Sequence, residues 1–175
     1  MERIEGLLRE LGNPEQKIKT VHVTGTNGKG SVTSMITNIL LAANLKVGKF
    51  TSPHLVKYNE RINLNGKDIS DEDFATAITA VKVAADSVVK KGVCEQPTQF
   101  EILTAAAFLY FYLQKVDYAV IEVGMGGLWD STNVITPVVS VITNVALDHT
   151  DRCGKTLERI AMQKAGIIKE KVPLV

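Results

Sequence analysis

A glycine-rich turn between an apolar strand and a helical segment constrains the fold of this chain more than any other feature. The strand covers 21–24, the turn covers Gly25 to Ser31, and an apolar pattern of helical spacing follows directly. In such a turn the backbone N–H groups and the helix N-terminus point towards one place, which suits a polyphosphate. Lys29 can reach the terminal phosphates of a nucleotide. The stretch therefore predicts a nucleotide triphosphate site, and a plain strand-to-helix turn is the alternative.

The turn departs from the G-x-x-x-x-G-K-[ST] phosphate loop at two positions. Val23 stands where the first glycine is expected, and Gly30 stands where a magnesium-binding hydroxyl is expected. Gly28 and Gly30 still allow the backbone to approach a phosphate. Ser52, in a proline-containing loop after the next predicted strand, could supply the missing hydroxyl.

Composition excludes several classes of function. The 175 residues suffice for one domain with its own core, and the net charge of +1 indicates neither a nucleic-acid partner nor an anionic membrane surface. No apolar run approaches the roughly 20 residues that cross a bilayer. The two cysteines, Cys94 and Cys153, make neither a disulfide framework nor a zinc site. We therefore expect a cytoplasmic protein that binds neither nucleic acid nor membrane.

Helical and strand patterns alternate along the chain, which predicts an α/β fold with a doubly wound, mostly parallel sheet. The predicted helices are 4–11, 32–43, 70–88, 99–114 and 156–166. The predicted strands are 19–24, 46–50, 117–123 and 138–143, with a hairpin over 61–69 and one more strand opening at 172. Ligands gather at the carboxyl ends of such strands. The loops at these ends are 25–31, 51–54, 124–133 and 144–150.

Two polar residues follow predicted strands of this sheet. Glu122 interrupts the apolar run 119–123, and a carboxylate there is costly unless it is paired or binds a cation. We predict that it faces the phosphate loop and binds Mg²⁺, with a salt bridge to a buried lysine as the alternative. His149 follows the next strand and is a second candidate ligand, with an ordinary satisfied or surface histidine as the alternative. His22 and His54 are interpreted as ordinary histidines.

Lys164 continues the apolar stripe of Leu157, Ile160 and Ala161. A lysine on the inner face of a helix should be neutral, paired or modified. The alternative is that its ammonium reaches solvent along the surface. Thr98, at the start of the apolar helix over 99–114, is an expected helix N-cap.

Eight strings of this sequence occur in an order that resembles a known family. They are Gly25–Ser31, Thr51–Leu55, Asn59–Ile62, Gln99–Glu101, Glu122–Gly127, Asp130–Asn133, Leu147–His149 and Lys164–Lys169. Together they resemble the ATP-binding domain of the Mur ligase superfamily. Within it, the strings are most similar to the folylpolyglutamate synthases, which are often dihydrofolate synthases as well. The resemblance covers nearly all of the chain.

The resemblance implies a role for each group of residues. Those that would hold the phosphates of ATP are Thr26, Asn27, Gly28, Lys29, Gly30 and Ser31. Those that would bind metal are Ser52, Glu122, His149 and Lys164, the last as a carbamate that supports a second Mg²⁺. Those that would be catalytic are Lys29, His149 and Lys164. Those that would lie along the pterin or folate site are Thr98, Gln99, Phe100 and Asn133, with Asp130 beside them.

The resemblance also implies the reaction and its partners. ATP would phosphorylate the terminal carboxylate of a folate, or of dihydropteroate, to give an acyl phosphate. The amine of L-glutamate would then displace phosphate and form an amide. The protein would position the groups and neutralise developing charge, which needs no protein nucleophile. We expect the enzyme to be a monomer.

This sequence departs from the family pattern directly after Gly126 and Gly127 and at both ends of the chain. Leu128 and Trp129 stand where the family often has an arginine after the glycine pair, so any contact made by that arginine is in doubt. The family usually has a segment upstream of residue 1 and a separate C-terminal domain. We therefore expect residues 1–175 to be a single, truncated ATP-binding domain that does not complete ligation alone.

Three alternatives remain open from the sequence. The first is another Mur-type amino-acid ligase, such as one acting on a peptidoglycan precursor. The second is a GTPase-like switch, although the segment 143–148 lacks the Asn-Lys-x-Asp pattern that reads guanine. The third is a non-catalytic module that only binds a nucleotide.

Overall fold

A six-stranded sheet forms the centre of the computed structural model, which describes residues 1–147 and 154–175. The strands are β1 (Thr20–Thr24), β2 (Val47–Phe50), β3 (Ile62–Leu64), β4 (Lys67–Asp68), β5 (Tyr118–Glu122) and β6 (Val139–Ile142). Their order across the sheet is β4-β3-β2-β5-β1-β6. The four strands β2, β5, β1 and β6 are parallel, while β3 and β4 are antiparallel. The carboxyl ends of β1, β2, β5 and β6 therefore meet at one edge.

Helices cover both faces of the sheet, which confirms the doubly wound α/β prediction. They are α1 (Glu2–Glu10), α2 (Lys29–Ala42), α3 (Asp71–Lys90), α4 (Gln99–Leu113) and α5 (Leu157–Ala165). Helices α1, α3 and α4 pack with Phe50, Ile62 and Ile121 in the larger core. Helix α2 covers the opposite face over a smaller core that includes Val23 and Val120. Within the described residues, no helix is long and apolar enough to cross a membrane.

Local sequence explains where several elements begin and end. The Ser70 hydroxyl accepts a hydrogen bond from the Asp73 N–H at 3.0 Å and so caps α3, as predicted. The hairpin of β3 and β4 turns at Asn65 and Gly66, whose φ values of 51° and 80° match the predicted turn. Helix α4 is apolar nearly all round, and the structure accordingly buries all of residues 103–108.

Two details of the fold differ from the simplest interpretation of the sequence. Met35 and Ile39 follow the apolar spacing of α2 but are 62% and 69% exposed, because Val32, Ile36 and Leu40 make the core contacts. The predicted strand at 172–175 is limited to a parallel bridge between Leu174 and Ser140 of β6. Backbone hydrogen bonds support that bridge: the Pro173 carbonyl accepts from the Ser140 N–H, and the Val175 N–H donates to the Ser140 carbonyl.

Candidate active site

The turn after β1 has the conformation of an open anion-binding loop. Gly28 has φ of +79°, in the left-handed region that favours glycine, and α2 begins at the next residue. Within the part of the chain that the structure describes, no side chain caps α2, so the N–H groups of its first turn are available to an anion. The Lys29 Nζ donates to the carbonyl oxygens of Gly25 and Thr26 at 3.0 and 3.3 Å. The lysine therefore lies over the loop, where a phosphate could replace these weak acceptors.

Two residues at the end of β6 hold this loop in place. The Asn144 side-chain oxygen accepts hydrogen bonds from the N–H groups of Asn27 and Thr26 at 2.9 and 3.2 Å. The Thr143 hydroxyl donates to the Asn27 carbonyl at 2.6 Å. Sequence analysis did not assign these residues to the site. Thr143 ends the predicted strand 138–143, and Asn144 begins the loop 144–150, at the edge where ligands gather.

Glu122 ends β5 beside the first turn of α2. Its side chain is buried, and a Cβ added to Gly30 would lie 3.8 Å from both carboxylate oxygens. One of those oxygens accepts a hydrogen bond from the Ser52 N–H at 3.2 Å. Burial raises the pKa of Glu122, while the Ser52 bond and the charges of Lys29 and Lys49 oppose that rise. Lys29, Ser52 and Glu122 thus share one edge of the sheet, as the sequence predicted.

The donors at this edge suit a hard cation that also binds phosphate. Mg²⁺ needs only one or two protein carboxylates when phosphate oxygens and water complete its coordination. Within 1–147 and 154–175, no group of three His, Cys, Asp or Glu residues is arranged to hold a metal by itself. The predicted ligand His149 lies outside the described residues. Lys164 lies on α5 and is 5% exposed, so most of its side chain is buried.

An open cleft of about 650 Å³ lies next to Ser52. Its walls combine apolar and charged side chains from the N-terminus, the loops after β2 and β5, and the start of α4. They are Met1, Arg3, Ser52, Pro53, Arg61, Thr98, Phe100, Glu101, Gly124, Met125, Gly126, Trp129, Asp130, Ser131 and Gln163. Because Ser52 both lines this cleft and donates to Glu122, the cleft and the phosphate loop share a wall.

The four predicted substrate residues divide into two pairs. Thr98 and Phe100 line the cleft. Gln99 is exposed and donates to the Tyr58 hydroxyl at 2.6 Å, outside the lining. The Asn133 amide donates to the carbonyl oxygens of residues 128 and 166, at 3.2 and 3.0 Å. Asn133 therefore holds the loop after β5 in place and is not among the residues that line the cleft.

A capping box orients the cleft side of α4. The Thr98 hydroxyl accepts a bond from the Glu101 N–H, and the Glu101 carboxylate accepts one from the Thr98 N–H at 2.7 Å. The predicted N-cap is therefore confirmed. Arg3 donates to both carboxylate oxygens of Glu101 at 3.2 and 3.0 Å. Burial acts to raise the pKa of Glu101, but the bonds from Thr98 and Arg3 outweigh it and lower that pKa.

A buried hydrogen-bond chain connects β1 to the glycine loop after β5. Asp130 accepts from the Met125 N–H at 2.9 Å and from the Thr132 hydroxyl and N–H at 2.6 and 3.0 Å. The Thr132 hydroxyl lies 2.9 Å from His22 Nε2. Since this hydroxyl gives its one proton to Asp130, His22 Nε2 must carry the proton of the neutral ring and donate it. Burial, followed by the charge of Lys169, lowers the pKa of His22 to about 3.

The same glycine loop packs closely against α4 and α5. A Cβ on Gly124 would lie 2.6 Å from the Phe100 ring and 3.0 Å from an Asp130 carboxylate oxygen. The Leu128 N–H donates to the Gln163 carbonyl at 2.8 Å. Burial raises the pKa of Asp130, and the hydrogen bonds that its carboxylate accepts oppose the rise. The contacts of Gly124 with Phe100 and of Leu128 with Gln163 therefore fix the loop against α4 and α5, next to Lys164 on α5.

Known proteins match both the sequence and the fold. The Mur ligase middle domain matches residues 23–173. The chain is 48% identical to dihydrofolate synthase/folylpolyglutamate synthase of Bacillus subtilis, over 99% of this chain and 40% of that protein. It is 49% identical to folylpolyglutamate synthase of Lacticaseibacillus casei, again over 99% of this chain and 40% of that protein.

A solved structure described as an FPGS–AMPPCP–folate complex superposes with a TM-score of 0.95 at 49% identity. The match covers 98% of this chain and 42% of that one. The chain therefore spans about two fifths of the length of the relatives that it matches.

Proposed function

This chain belongs to the Mur ligase family, and from that premise we propose that it is the nucleotide- and folate-binding part of an ATP-dependent ligase that joins L-glutamate to a folate. Dihydropteroate is a second proposed acceptor of glutamate. The similarity to proteins named folylpolyglutamate synthase and dihydrofolate synthase supports this choice over other amino-acid ligases. We propose that residues 1–175 form one P-loop domain of a monomeric, cytoplasmic enzyme.

One observation carries the proposal. The buried Glu122 carboxylate lies against the first turn of α2 and accepts the Ser52 N–H, and Ser52 also lines the 650 Å³ cleft. A nucleotide bound over α2 would therefore present its terminal phosphate at the wall that a substrate in the cleft also touches. That placement suits direct phosphoryl transfer between two bound molecules.

The residues of the phosphate loop have complementary tasks. The N–H groups at the start of α2 would bind the phosphates, and Lys29 would move from the carbonyl oxygens of Gly25 and Thr26 to the more strongly charged phosphate oxygens. Thr26, Asn27, Gly28, Gly30 and Ser31 would complete this cradle.

Ser52, Glu122 and His149 would hold Mg²⁺, and Lys164 is proposed to carry a carbamate that holds a second metal. When bound, Mg²⁺ would neutralise charge that develops on the phosphoryl oxygens. Lys164 is buried on α5, and a carbamate at that position would be an anionic ligand for a cation. Burial raises the pKa of Glu122, and the hydrogen bond from the Ser52 N–H opposes that rise.

These positions support a reaction in two steps. A terminal oxygen of the folate carboxylate attacks the γ-phosphorus of ATP, ADP leaves, and an acyl phosphate forms. The amine of L-glutamate then attacks the acyl carbon, and phosphate leaves as the amide forms. Lys29 compensates negative charge in the first step. The cleft residues Thr98, Phe100 and Asp130 would orient the ring end of the folate.

Calorimetric titration tests this proposal. The chain should bind AMPPCP, a non-hydrolysable ATP analogue, in a Mg²⁺-dependent manner, and should bind folate or dihydropteroate. Glu122→Gln should lose most of the Mg²⁺ dependence and retain folate binding. Glu72→Gln, on the exposed side of α3, is the matched control and should behave as the unsubstituted chain.

Two results would contradict the proposal. Binding of a muramyl nucleotide in preference to folate or dihydropteroate would favour a peptidoglycan-precursor ligase. An AMPPCP affinity that is equal with and without Mg²⁺ would remove Glu122 from the metal site.

A further inference from the structure

Trp129 is a large aromatic side chain that the mechanism above does not use. It is the only tryptophan in the chain and is 70% exposed, although it lies beside Asp130, which is buried. It lines the 650 Å³ cleft and also a second open cavity of about 850 Å³ on the other side. The indole therefore stands at the boundary between the two cavities.

The backbone on both sides of Trp129 is fixed. The Leu128 N–H donates to the Gln163 carbonyl, and the Leu128 carbonyl accepts from the Asn133 amide. The Asp130 N–H donates to the Gly127 carbonyl at 3.1 Å. The indole thus cannot reach the protein core through a loop movement without breaking these bonds. An aromatic surface presented on a rigid loop binds a ligand at little cost in conformational entropy.

Charge determines which end of a substrate suits this position. The second cavity beyond Trp129 is lined by three carboxylates, Glu2, Glu5 and Glu95, while its Arg3 already contacts Glu101. A substrate carboxylate would be repelled there. Ser52 lines the first cleft and donates to Glu122 beside the phosphate loop, where the reacting carboxylate must lie. The uncharged, planar part of the substrate is therefore the part that reaches Trp129.

We propose that Trp129 is a specificity-determining residue whose indole stacks on the planar aromatic ring system of the substrate, a feature that rests on the proposed folate-binding function. Phe100 forms part of the facing wall, and its ring packs on Phe50 with centroids 5.9 Å apart, which keeps it in place. Stacking between aromatic rings adds binding free energy beyond that from buried area. Trp129 thus gives this chain an aromatic contact in the loop after β5.

Substitution of Trp129 tests the proposal through folate affinity. Trp129→Leu should weaken folate binding about two- to tenfold, the range that aromatic pairing supplies. Trp129→Phe keeps a ring and should retain most of the affinity. Neither change should alter AMPPCP affinity. Val83→Ala, at an exposed position of α3, is the control, and circular dichroism checks that each variant folds.

The single tryptophan supplies an independent readout. Acrylamide should quench the emission of the free chain efficiently, because the indole is exposed. Saturation with folate should shield the indole from acrylamide, whereas AMPPCP should not. Shielding is read from the bimolecular quenching constant, which is the Stern–Volmer constant divided by the fluorescence lifetime. Energy transfer to a distant pterin shortens the lifetime but does not change the bimolecular constant.

The outcomes separate this inference from the proposed function. If the unsubstituted chain binds neither folate nor dihydropteroate, the proposed function fails and the inference fails with it. If it binds folate, but Trp129→Leu has the same affinity and folate leaves acrylamide quenching unchanged, the inference alone is overturned.

Discussion

The phosphate loop at 25–31 and the cleft wall at 124–133 lie at the same edge of the sheet but are built differently. The phosphate loop is continuous with β1 and α2, and its Lys29 donates to carbonyl oxygens three and four residues away. The cleft wall depends on distant residues, including His22 on β1, Phe100 on α4 and Gln163 on α5. Local sequence therefore determines the first region, apart from the hydrogen bonds that Thr143 and Asn144 make with it, and tertiary packing determines the second.

This difference predicts how the two regions respond to mutation. The phosphate loop has an open helix N-terminus and a lysine in weak contacts, so its side chains can change without disturbing the core. The cleft wall contains the buried Asp130 and Thr132, whose polar groups are costly to leave without hydrogen bonds. Variants in the loop should change nucleotide binding, and variants in the wall should change folding stability as well.

Lys29→Ala should have the largest effect. The ammonium is proposed to make a charge-assisted contact with phosphate, so AMPPCP affinity should fall about 10- to 100-fold while the unfolding midpoint in urea stays nearly constant. Lys82→Ala, exposed on α3, provides the matched loss of charge. Unchanged AMPPCP affinity in Lys29→Ala would contradict the assignment of the phosphate loop.

Gly124→Ala should destabilise the protein by about 1–3 kcal/mol, because the new methyl group would overlap the Phe100 ring and approach Asp130. Urea unfolding measures this change, and folate affinity should fall with it. Gly28→Asn is the contrasting variant in the phosphate loop. It faces open space at φ of +79°, and asparagine tolerates that conformation, so its cost should be smaller. Equal costs would mean that the two regions do not differ as described.

His22 should make the stability of the wall depend on pH. Its folded-state pKa of about 3 lies below the ordinary value of 6.5, so the unfolded chain binds more protons between those values. The contribution of the neutral His22 to the free energy of unfolding is therefore complete above pH 6.5. It is lost as the pH falls below 6.5, by about 1.4 kcal/mol per pH unit at most. His22→Asn should be less stable at pH 7 and should show a shallower pH dependence in urea unfolding from pH 6.5 to 4.5. Identical slopes would contradict the buried, neutral state of His22.

The same division explains how much the sequence predicts. Lys29, Gly28 and the start of α2 follow from a local pattern, and Glu122 follows from a single charged residue in an apolar strand. The chain of His22, Thr132 and Asp130 involves residues more than 100 positions apart, and no period or motif indicates that pairing. The sequence predicts His22 only as an ordinary satisfied or surface histidine, which does not specify its burial or its hydrogen bond to the cleft wall. Trp129 was noted only as a departure from a pattern, because exposure at a cleft is a property of the tertiary structure.

Asn144→Ala should have the smallest effect and sharpens the comparison most, because it tests whether the phosphate loop is independent of tertiary contacts. Asn144 follows β6, yet its side-chain oxygen accepts the N–H groups of Thr26 and Asn27. Since Asn27 is exposed, water can replace the lost acceptor, and the stability loss should stay near 1 kcal/mol. AMPPCP affinity should decrease by less than in Lys29→Ala, since the loop loses order but keeps its charge. A decrease as large as that of Lys29→Ala would show that the loop, like the cleft wall, requires a distant residue to hold its binding conformation.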